Sequence, residues 1–146
     1  MKKSGLVVCS KHCFLAASPD GIVSDPTSNP SEGMLEMKYI QMKQGETLKD
    51  TLIRKRVCIY HKGEIVVNPN HQYYYQMQQQ MYVCGRLWND FVVKGSLSSD
   101  LFVQRVEFNH SFWSRVFTKL ELFFEQHVLP ELAFQRIKYG HPRLSV

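Results

Sequence analysis

Hydrophobic and polar positions follow two different periods along this chain, and the period indicates which segments form strands and which form helices. A period of two over residues 33–39 predicts a strand. Shorter apolar runs at 5–8 and 14–17 indicate two more strands. Residues 25–31 contain two prolines and several small polar residues, which is typical of a loop. The simplest arrangement is a hairpin in which this loop joins the earlier strands to the strand at 33–39.

A helical period marks the segment that follows residue 70. Asn70 is a suitable N-cap for a helix over 71–84, and Gly85 suits the left-handed position that ends a helix. The apolar positions of this helix form one stripe, expected in the core, at Tyr74, Met77, Met81 and Cys84. The number of glutamines in the same helix is unusual.

The other predicted elements complete a mixed α/β order. They are a helix over 47–56 capped by Thr47, a hairpin of 59–60 and 65–67, strands at 90–94 and 101–106, and a last helix from Ser111 to Glu125 or beyond that Pro130 interrupts. The aromatic residues of the last helix are expected in the core rather than stacked on bases: Phe112, Trp113, Phe117, Phe123 and Phe124. Groups of strands that alternate with helices in this order predict a mixed α/β fold.

Composition favours one folded domain over residues 1–146. The chain is 44% hydrophobic and 12% aromatic, which excludes a disordered protein. No apolar run approaches the ~20 residues that cross a bilayer, and the first residues lack a secretory signal, so we expect an intracellular protein, in cytoplasm or nucleus. A net charge of +5 weakly favours a polyanionic partner such as nucleic acid.

The four cysteines are expected to be reduced, buried thiols, as is usual for an intracellular chain. Cys9, His12 and Cys13 leave open a partial zinc cluster and hence a structural zinc protein. Structural zinc takes four ligands, and no second Cys or His pair follows at the usual spacing, which disfavours that alternative.

Two carboxylates and an amine are candidates for a reaction centre. Glu36 and Lys38 are two residues apart on a predicted strand, so their side chains point to the same face. Asp20, in a Ser-Pro-Asp-Gly turn, reaches that face if the chain folds back as a hairpin. Paired carboxylates suit Mg²⁺, and a neighbouring lysine can hold a water molecule or offset charge on a phosphate. The alternative is a simple turn aspartate beside a solvated Glu-Lys pair.

Three segments together carry a resemblance to a known family. Residues 14–23, 33–38 and 71–81 resemble, in order and spacing, the motifs of the YqaJ-like viral recombinase family, which contains the phage λ exonuclease and belongs to the PD-(D/E)XK nuclease superfamily. The resemblance extends from about Gly5 to Leu132. It implies a restriction-endonuclease-like core, a central mixed β-sheet flanked by α-helices.

The resemblance also implies an activity and the residues that carry it. Asp20, Glu36 and the backbone carbonyl of Met37 match metal ligands, and Lys38 matches the catalytic lysine. Relatives use Mg²⁺ or Mn²⁺, with two ions expected, to hydrolyse DNA phosphodiesters in recombination and repair. Digestion of linear double-stranded DNA from 5′ to 3′ is the implied reaction.

Further residues and partners follow from the same resemblance. Ser18 matches a serine near the bound phosphate. Gln78, which opens a Q-x-x-x-Y stretch ending at Tyr82, matches a glutamine near the active centre and is assigned a catalytic role. Gln76, in the same motif, is ranked below it, and Gln76 and Tyr82 are assigned to substrate binding. Implied partners are double-stranded DNA ends, further copies of the chain as in the ring trimer of some relatives, and a single-strand annealing protein.

The sequence departs from the family at its start. Relatives carry, upstream of the first motif, a helical segment with a further acidic residue and basic residues that hold a 5′ phosphate. The first seventeen residues here contain no Asp or Glu, so we expect that segment to be missing. The alternative function is therefore a catalytically inactive, truncated nuclease-fold module that binds DNA or a protein partner.

Overall fold

The structure, a computed structural model, describes residues 2–135 and 137–142 and divides into two compact units. The first unit ends at Phe108 and the second begins at Asn109. The elements of the first unit are β1 (Val7–Val8), β2 (Ala16–Ala17), β3 (Gly21–Ser24), β4 (Glu32–Ile40), α1 (Leu48–Arg54), β5 (Cys58–His61), β6 (Glu64–Val67), α2 (Gln72–Cys84), β7 (Trp88–Gly95) and β8 (Leu101–Glu107). The prediction of a single domain over residues 1–146 stays a prediction.

A four-stranded mixed sheet forms the centre of the first unit. The strand order is β3-β4-β7-β8, with β4 and β7 parallel and the outer pairs antiparallel. The connection from β4 to β7 contains α1, the β5-β6 hairpin and α2, as a parallel pair requires a long crossover. This arrangement confirms the predicted α/β class with a mixed sheet and helices.

The hairpin around the 25–31 loop forms, but with a different first strand from the one predicted. The partner of β4 is β3, paired so that Gly21 lies opposite Leu35 and Ser24 opposite Glu32. The two predicted strands at 5–8 and 14–17 are shorter than expected and pair with each other, as β1 and β2. Strand β3 was missed because its four residues lie between two turn-forming segments and are too few for a clear alternation.

Both helices of the first unit begin at a residue whose side chain caps them. Thr47 caps α1 as predicted, with Asp50 completing a capping box. Helix α2 is capped by His71 rather than Asn70: Nδ1 of His71 accepts a hydrogen bond from the Tyr73 N–H at 3.2 Å. Burial lowers the pKa of His71, which favours the neutral ring that can accept this bond. Gly85 ends α2 in the left-handed region, with φ 62°, which confirms the predicted stop.

The hydrophobic core lies between the sheet and α2. Met77 and Met81 of α2 are fully buried with Met34 of β4 and Phe91 of β7. Tyr74 and Cys84 are partly buried against the same cluster. The predicted apolar stripe of α2 is therefore confirmed as core, and it fixes which faces of β4 and β7 turn toward the helix.

The second unit is helical. It contains α3 (His110–Phe123), a π-helical turn (Phe124–Val128), α4 (Leu129–Ala133) and a 3₁₀ turn (Ile137–Tyr139). The predicted interruption of the last helix lies before Pro130 and not at it: a π-helical turn separates α3 from α4, and Pro130 lies in the first turn of α4, where a missing N–H is tolerated. Trp113 is buried as expected, whereas Phe123 is 57% exposed, so its assignment to the core is wrong. Among the described helices, none is both long and apolar enough to cross a membrane.

We expect Gly33→Ala to destabilise the first unit by about 1–3 kcal/mol, the range for overpacking. A Cβ at Gly33 would lie 2.2 Å from the Trp88 ring. The ring cannot retreat easily because its Nε1–H donates to the Pro30 carbonyl at 2.8 Å and the Arg105 guanidinium stacks 3.7 Å from its centre. Urea denaturation measures the effect. Gly5→Ala is the control, since nothing lies within 4 Å of the added Cβ, and equal stability of the two variants would contradict this prediction.

Candidate active site

The turn before β3 brings Asp20 to the middle of β4. Asp20 precedes Gly21, which lies opposite Leu35, so the next position along the ladder is opposite Glu36. Strand β3 stops there, and Oδ2 of Asp20 accepts the hydrogen bond of the Met37 N–H at 2.7 Å. Because the N–H and C=O of one strand residue point to the same side, the carbonyl of Met37 also faces Asp20. The hairpin thus brings the Asp20 carboxylate to the part of β4 that carries Glu36 and Met37.

Glu36 and Lys38 lie on the same face of β4 and form an ion pair through Oε1 of Glu36. Glu36 is 1% exposed, whereas the Lys38 side chain keeps about a quarter of its surface in solvent. The Lys38 ammonium also lies over the Tyr73 ring, 5.0 Å from its centre. Its position between a buried carboxylate and solvent makes this cation accessible to an incoming anion.

Two glutamines of α2 hold the Glu36 carboxylate from the other side. Nε2 of Gln76 donates to Oε1 at 2.7 Å, and Nε2 of Gln80 donates to Oε2 at 2.6 Å. The two residues are four apart, so they share one face of the helix. Together with Lys38 they replace the hydration that a buried carboxylate loses.

Gln78 lies on another face of α2. It is fully buried, and its Nε2 donates to the backbone carbonyl of Glu107 at 2.9 Å. The structure therefore does not bring Gln78 to Glu36, and of the two glutamines that the sequence predicted, the one ranked lower, Gln76, contacts the carboxylate. Gln80 was not singled out as a site residue, although its spacing of four from Gln76 could have indicated it.

The remaining residues predicted for substrate binding are not among the described partners of the Glu36 carboxylate, which are Lys38, Gln76 and Gln80. Ser18 is exposed in the turn that precedes Asp20. The Tyr82 ring stacks on His12, with 6.1 Å between ring centres, and on Phe108, with 6.4 Å. The substrate contacts assigned to Ser18 and Tyr82 stay predictions.

The donor set near Asp20 fits a hard divalent cation. Mg²⁺ takes oxygen ligands and is commonly held by one or two carboxylates, with water and phosphate oxygens filling its other positions. Asp20 and Glu36 would supply the carboxylates and Met37 a carbonyl. Oδ1 of Asp20 has no hydrogen-bond partner among the residues that the structure describes. In the same part of the chain no three His, Cys, Asp or Glu side chains form a metal-binding group, so a cation here would need main-chain, water or phosphate ligands as well.

The cysteines do not form the alternative zinc centre. Cys9 is buried and Cys13 exposed, and with His12 they make no metal-binding group in the described residues. Burial raises the pKa of Cys58 to about 12 and also raises that of Cys84, which keeps both thiols protonated. The expectation of buried, reduced thiols holds for Cys9 and Cys58, whereas the exposure of Cys13 departs from it.

Comparison with known proteins identifies the family. Residues 1–87 match the YqaJ-like viral recombinase domain. The chain belongs to this family. No curated protein is a significant match. Among solved structures, the alkaline exonuclease LHK-Exo from Laribacter hongkongensis is similar, with a TM-score of 0.66 and 24% identity over 95% of this chain. The same enzyme in complex with dAMP gives a TM-score of 0.64 at the same identity and coverage.

The likeness to LHK-Exo confirms the predicted fold, a restriction-endonuclease-like core with a central mixed sheet flanked by helices. This YqaJ-like chain covers 62% of the LHK-Exo chain. The three sequence segments that carried the resemblance correspond to the three parts of the site: the turn with Asp20, the strand with Glu36 and Lys38, and the glutamine face of α2. The family and the fold are therefore established together with the geometry around Glu36.

Proposed function

We propose that this chain is the core of a metal-dependent DNA exonuclease that hydrolyses phosphodiester bonds in linear double-stranded DNA from 5′ to 3′. The observation that carries the proposal is the convergence of Asp20, Glu36 and Lys38 on β4 in a member of the YqaJ-like family. Mg²⁺ or Mn²⁺ is the cofactor that the oxygen donors favour. We further propose that the site holds two metal ions and that the enzyme acts in recombination. In the same proposal it forms an oligomer and works with a single-strand annealing protein.

Each side chain of the site has a separate role in the proposed hydrolysis. Asp20, Glu36 and the Met37 carbonyl would hold the metal, which when bound supplies a nucleophilic hydroxide and offsets phosphate charge. Gln76 and Gln80 fix the Glu36 carboxylate so that its oxygens keep one orientation. The Lys38 ammonium can orient the attacking water and stabilise negative charge that develops on the phosphate.

DNA as the substrate is supported by charge and by the similar structures. The chain carries a net charge of +5, which favours a polyanion. One of the similar alkaline exonuclease structures is a complex with dAMP, a deoxynucleotide. A site that holds a nucleoside monophosphate is consistent with stepwise release of nucleotides from a strand end.

Release of nucleotides from linear DNA tests this function. We expect Mg²⁺ or Mn²⁺ to support release of mononucleotides from linear duplexes and EDTA to abolish it, while closed circular DNA stays intact. A duplex labelled at its 5′ ends should lose the label as mononucleotide before a 3′-labelled duplex does. Comparing ends with and without a 5′ phosphate shows whether that group is recognised. Salt-sensitive DNA binding without cleavage in any divalent metal would contradict the proposal and favour the inactive module.

A further inference from the structure

A chain of three buried polar groups leads from Glu36 across the core to β7. Oε2 of Glu36 accepts from Nε2 of Gln80, and Oε1 of Gln80 accepts from Nδ2 of Asn89 at 3.0 Å. Gln80 is 2% exposed and Asn89 is not exposed at all. We propose that Asn89 is a positioning residue that sets the orientation of the Gln80 amide, so that Gln80 presents a donor to Glu36. This inference rests on the proposed function, in which Glu36 is a metal ligand.

The orientation of the Gln80 amide decides whether it supports or opposes the carboxylate. An amide has a donor end and an acceptor end of nearly equal shape, and only the surrounding hydrogen bonds distinguish them. With the Asn89 N–H at its oxygen, Gln80 turns its NH₂ group toward Glu36. The reverse orientation would place an oxygen against the Glu36 carboxylate and two donors against each other, in a region without solvent to screen them.

The Asn89 side chain is not well suited to stabilise the fold, and this favours a role in the site. Oδ1 of Asn89 is buried and, in the part of the chain that the structure describes, has no hydrogen-bond partner. A buried polar atom without a partner destabilises a fold, so this oxygen offsets part of the stability that the bond from Asn89 to Gln80 contributes. Asn89 lies opposite Met34 on β4 and two residues before the buried Phe91, in a position where an apolar residue would fit the core.

Mn²⁺ affinity, followed by titration calorimetry, tests the role without relying on catalysis. We expect Gln80→Met and Asn89→Leu each to weaken Mn²⁺ binding by about tenfold or more, the usual effect of removing a group that orients a metal ligand. Because Asn89 acts through Gln80, the double variant should bind Mn²⁺ no more weakly than Gln80→Met alone. Additive losses, or an unchanged affinity in Asn89→Leu, would overturn the proposal.

The stability of the variants in urea distinguishes a positioning role of Asn89 from a structural one. Gln80→Met leaves Nδ2 of Asn89 buried without its acceptor, and the double variant removes that amide together with its unpaired oxygen, so the double variant should unfold at the same or a higher urea concentration than Gln80→Met alone. A structural role predicts that stability and Mn²⁺ affinity fall together. Asn89→Ser, whose hydroxyl is too short to reach Gln80, provides a smaller substitution if Asn89→Leu does not fold, and it should show the same tenfold loss.

Gln79→Met is the matched control, because this neighbouring residue of α2 donates its amide to the Ala16 carbonyl and not to Glu36. It should keep wild-type Mn²⁺ affinity, and an equal loss in Gln79→Met would overturn the assignment. Wild-type protein that binds Mn²⁺ without cleaving DNA would overturn the proposed function alone, and the affinities of the variants would still decide the role of Asn89. Wild-type protein that binds no Mn²⁺ would overturn the role of Asn89 as well.

Discussion

Glu36→Gln should lower metal-dependent nucleotide release at least ~10²–10³-fold, the scale for loss of a group that stabilises charge in a transition state. The substitution preserves the size of the side chain but replaces one oxygen by an NH₂ group. That group would face a donor, because Lys38, Gln76 and Gln80 all donate to Glu36. Mn²⁺ binding should weaken in parallel, since a neutral amide is a poorer ligand for a hard cation.

The matched control for this variant is Glu32→Gln, the same substitution on the same strand. Glu32 lies at the exposed start of β4, where it pairs with Arg86 at 2.8 Å, far along the strand from Lys38. An exposed pair of this kind contributes little, so activity and Mn²⁺ affinity should stay at the wild-type level. Glu36→Gln protein that releases nucleotides as fast as Glu32→Gln would show that Glu36 is not part of the reaction centre.

The parts of the fold that the sequence predicts are those whose signal is local and long. The period-two pattern over 33–39 lies inside β4, and α2 carries its own apolar stripe and a terminal glycine, so the ends of both elements were predicted to within one residue. Strand β3 has four residues, and its pairing with β4 depends on a hydrogen-bond register that no single segment encodes. The N-cap of α2 is His71 rather than Asn70, because the His71 ring accepts the Tyr73 N–H, while Asn70 belongs to the preceding turn, where its N–H donates to the Asn68 side chain.

In the site, too, the sequence predicts what depends on short spacing along the chain and not what depends on how the elements pack. Glu36 and Lys38 could be placed together from a spacing of two, and a short turn was enough to bring Asp20 to them. The choice among the glutamines could not be made in this way. On a helical wheel Gln78 lies on one side of the stripe formed by Met77 and Met81, while Gln76 and Gln80 lie on the other.

Both sides of that stripe border the core, so the sequence alone leaves the choice open. It is settled by how α2 docks on the sheet: one flank faces Glu36 of β4 and the other faces the backbone of Glu107 in β8. The resemblance to the family selected Gln78, because a sequence motif does not show which face of a helix will contact the sheet. Asn89 could not be predicted for a similar reason. Its partner, Gln80, lies nine residues earlier in the sequence, and the two meet only when α2 packs on β7.

Lys38→Met should lower nucleotide release by ~10²–10³-fold while leaving Mn²⁺ binding intact, a separation that Glu36→Gln should not show. Methionine fills the space of the aliphatic stem and keeps contact with Tyr73, but it removes the ammonium that pairs with Glu36. That ammonium competes with a metal ion for the carboxylate, so Mn²⁺ affinity should be equal to or higher than in the wild type. Nucleotide release and titration calorimetry on the same preparations measure the two effects.

Lys38→Arg provides the comparison that assigns the role of the charge. A guanidinium keeps the positive charge but is planar and distributes its donors differently, so it can neutralise Glu36 without placing a donor where the ammonium was. Activity restored to near the wild-type level would mean that charge alone is required, whereas a loss close to that of Lys38→Met would mean that the position of the ammonium orients the reacting water or phosphate. Loss of Mn²⁺ binding in Lys38→Met would contradict both of these interpretations. The lysine would then hold the Glu36 carboxylate in place rather than act on the substrate.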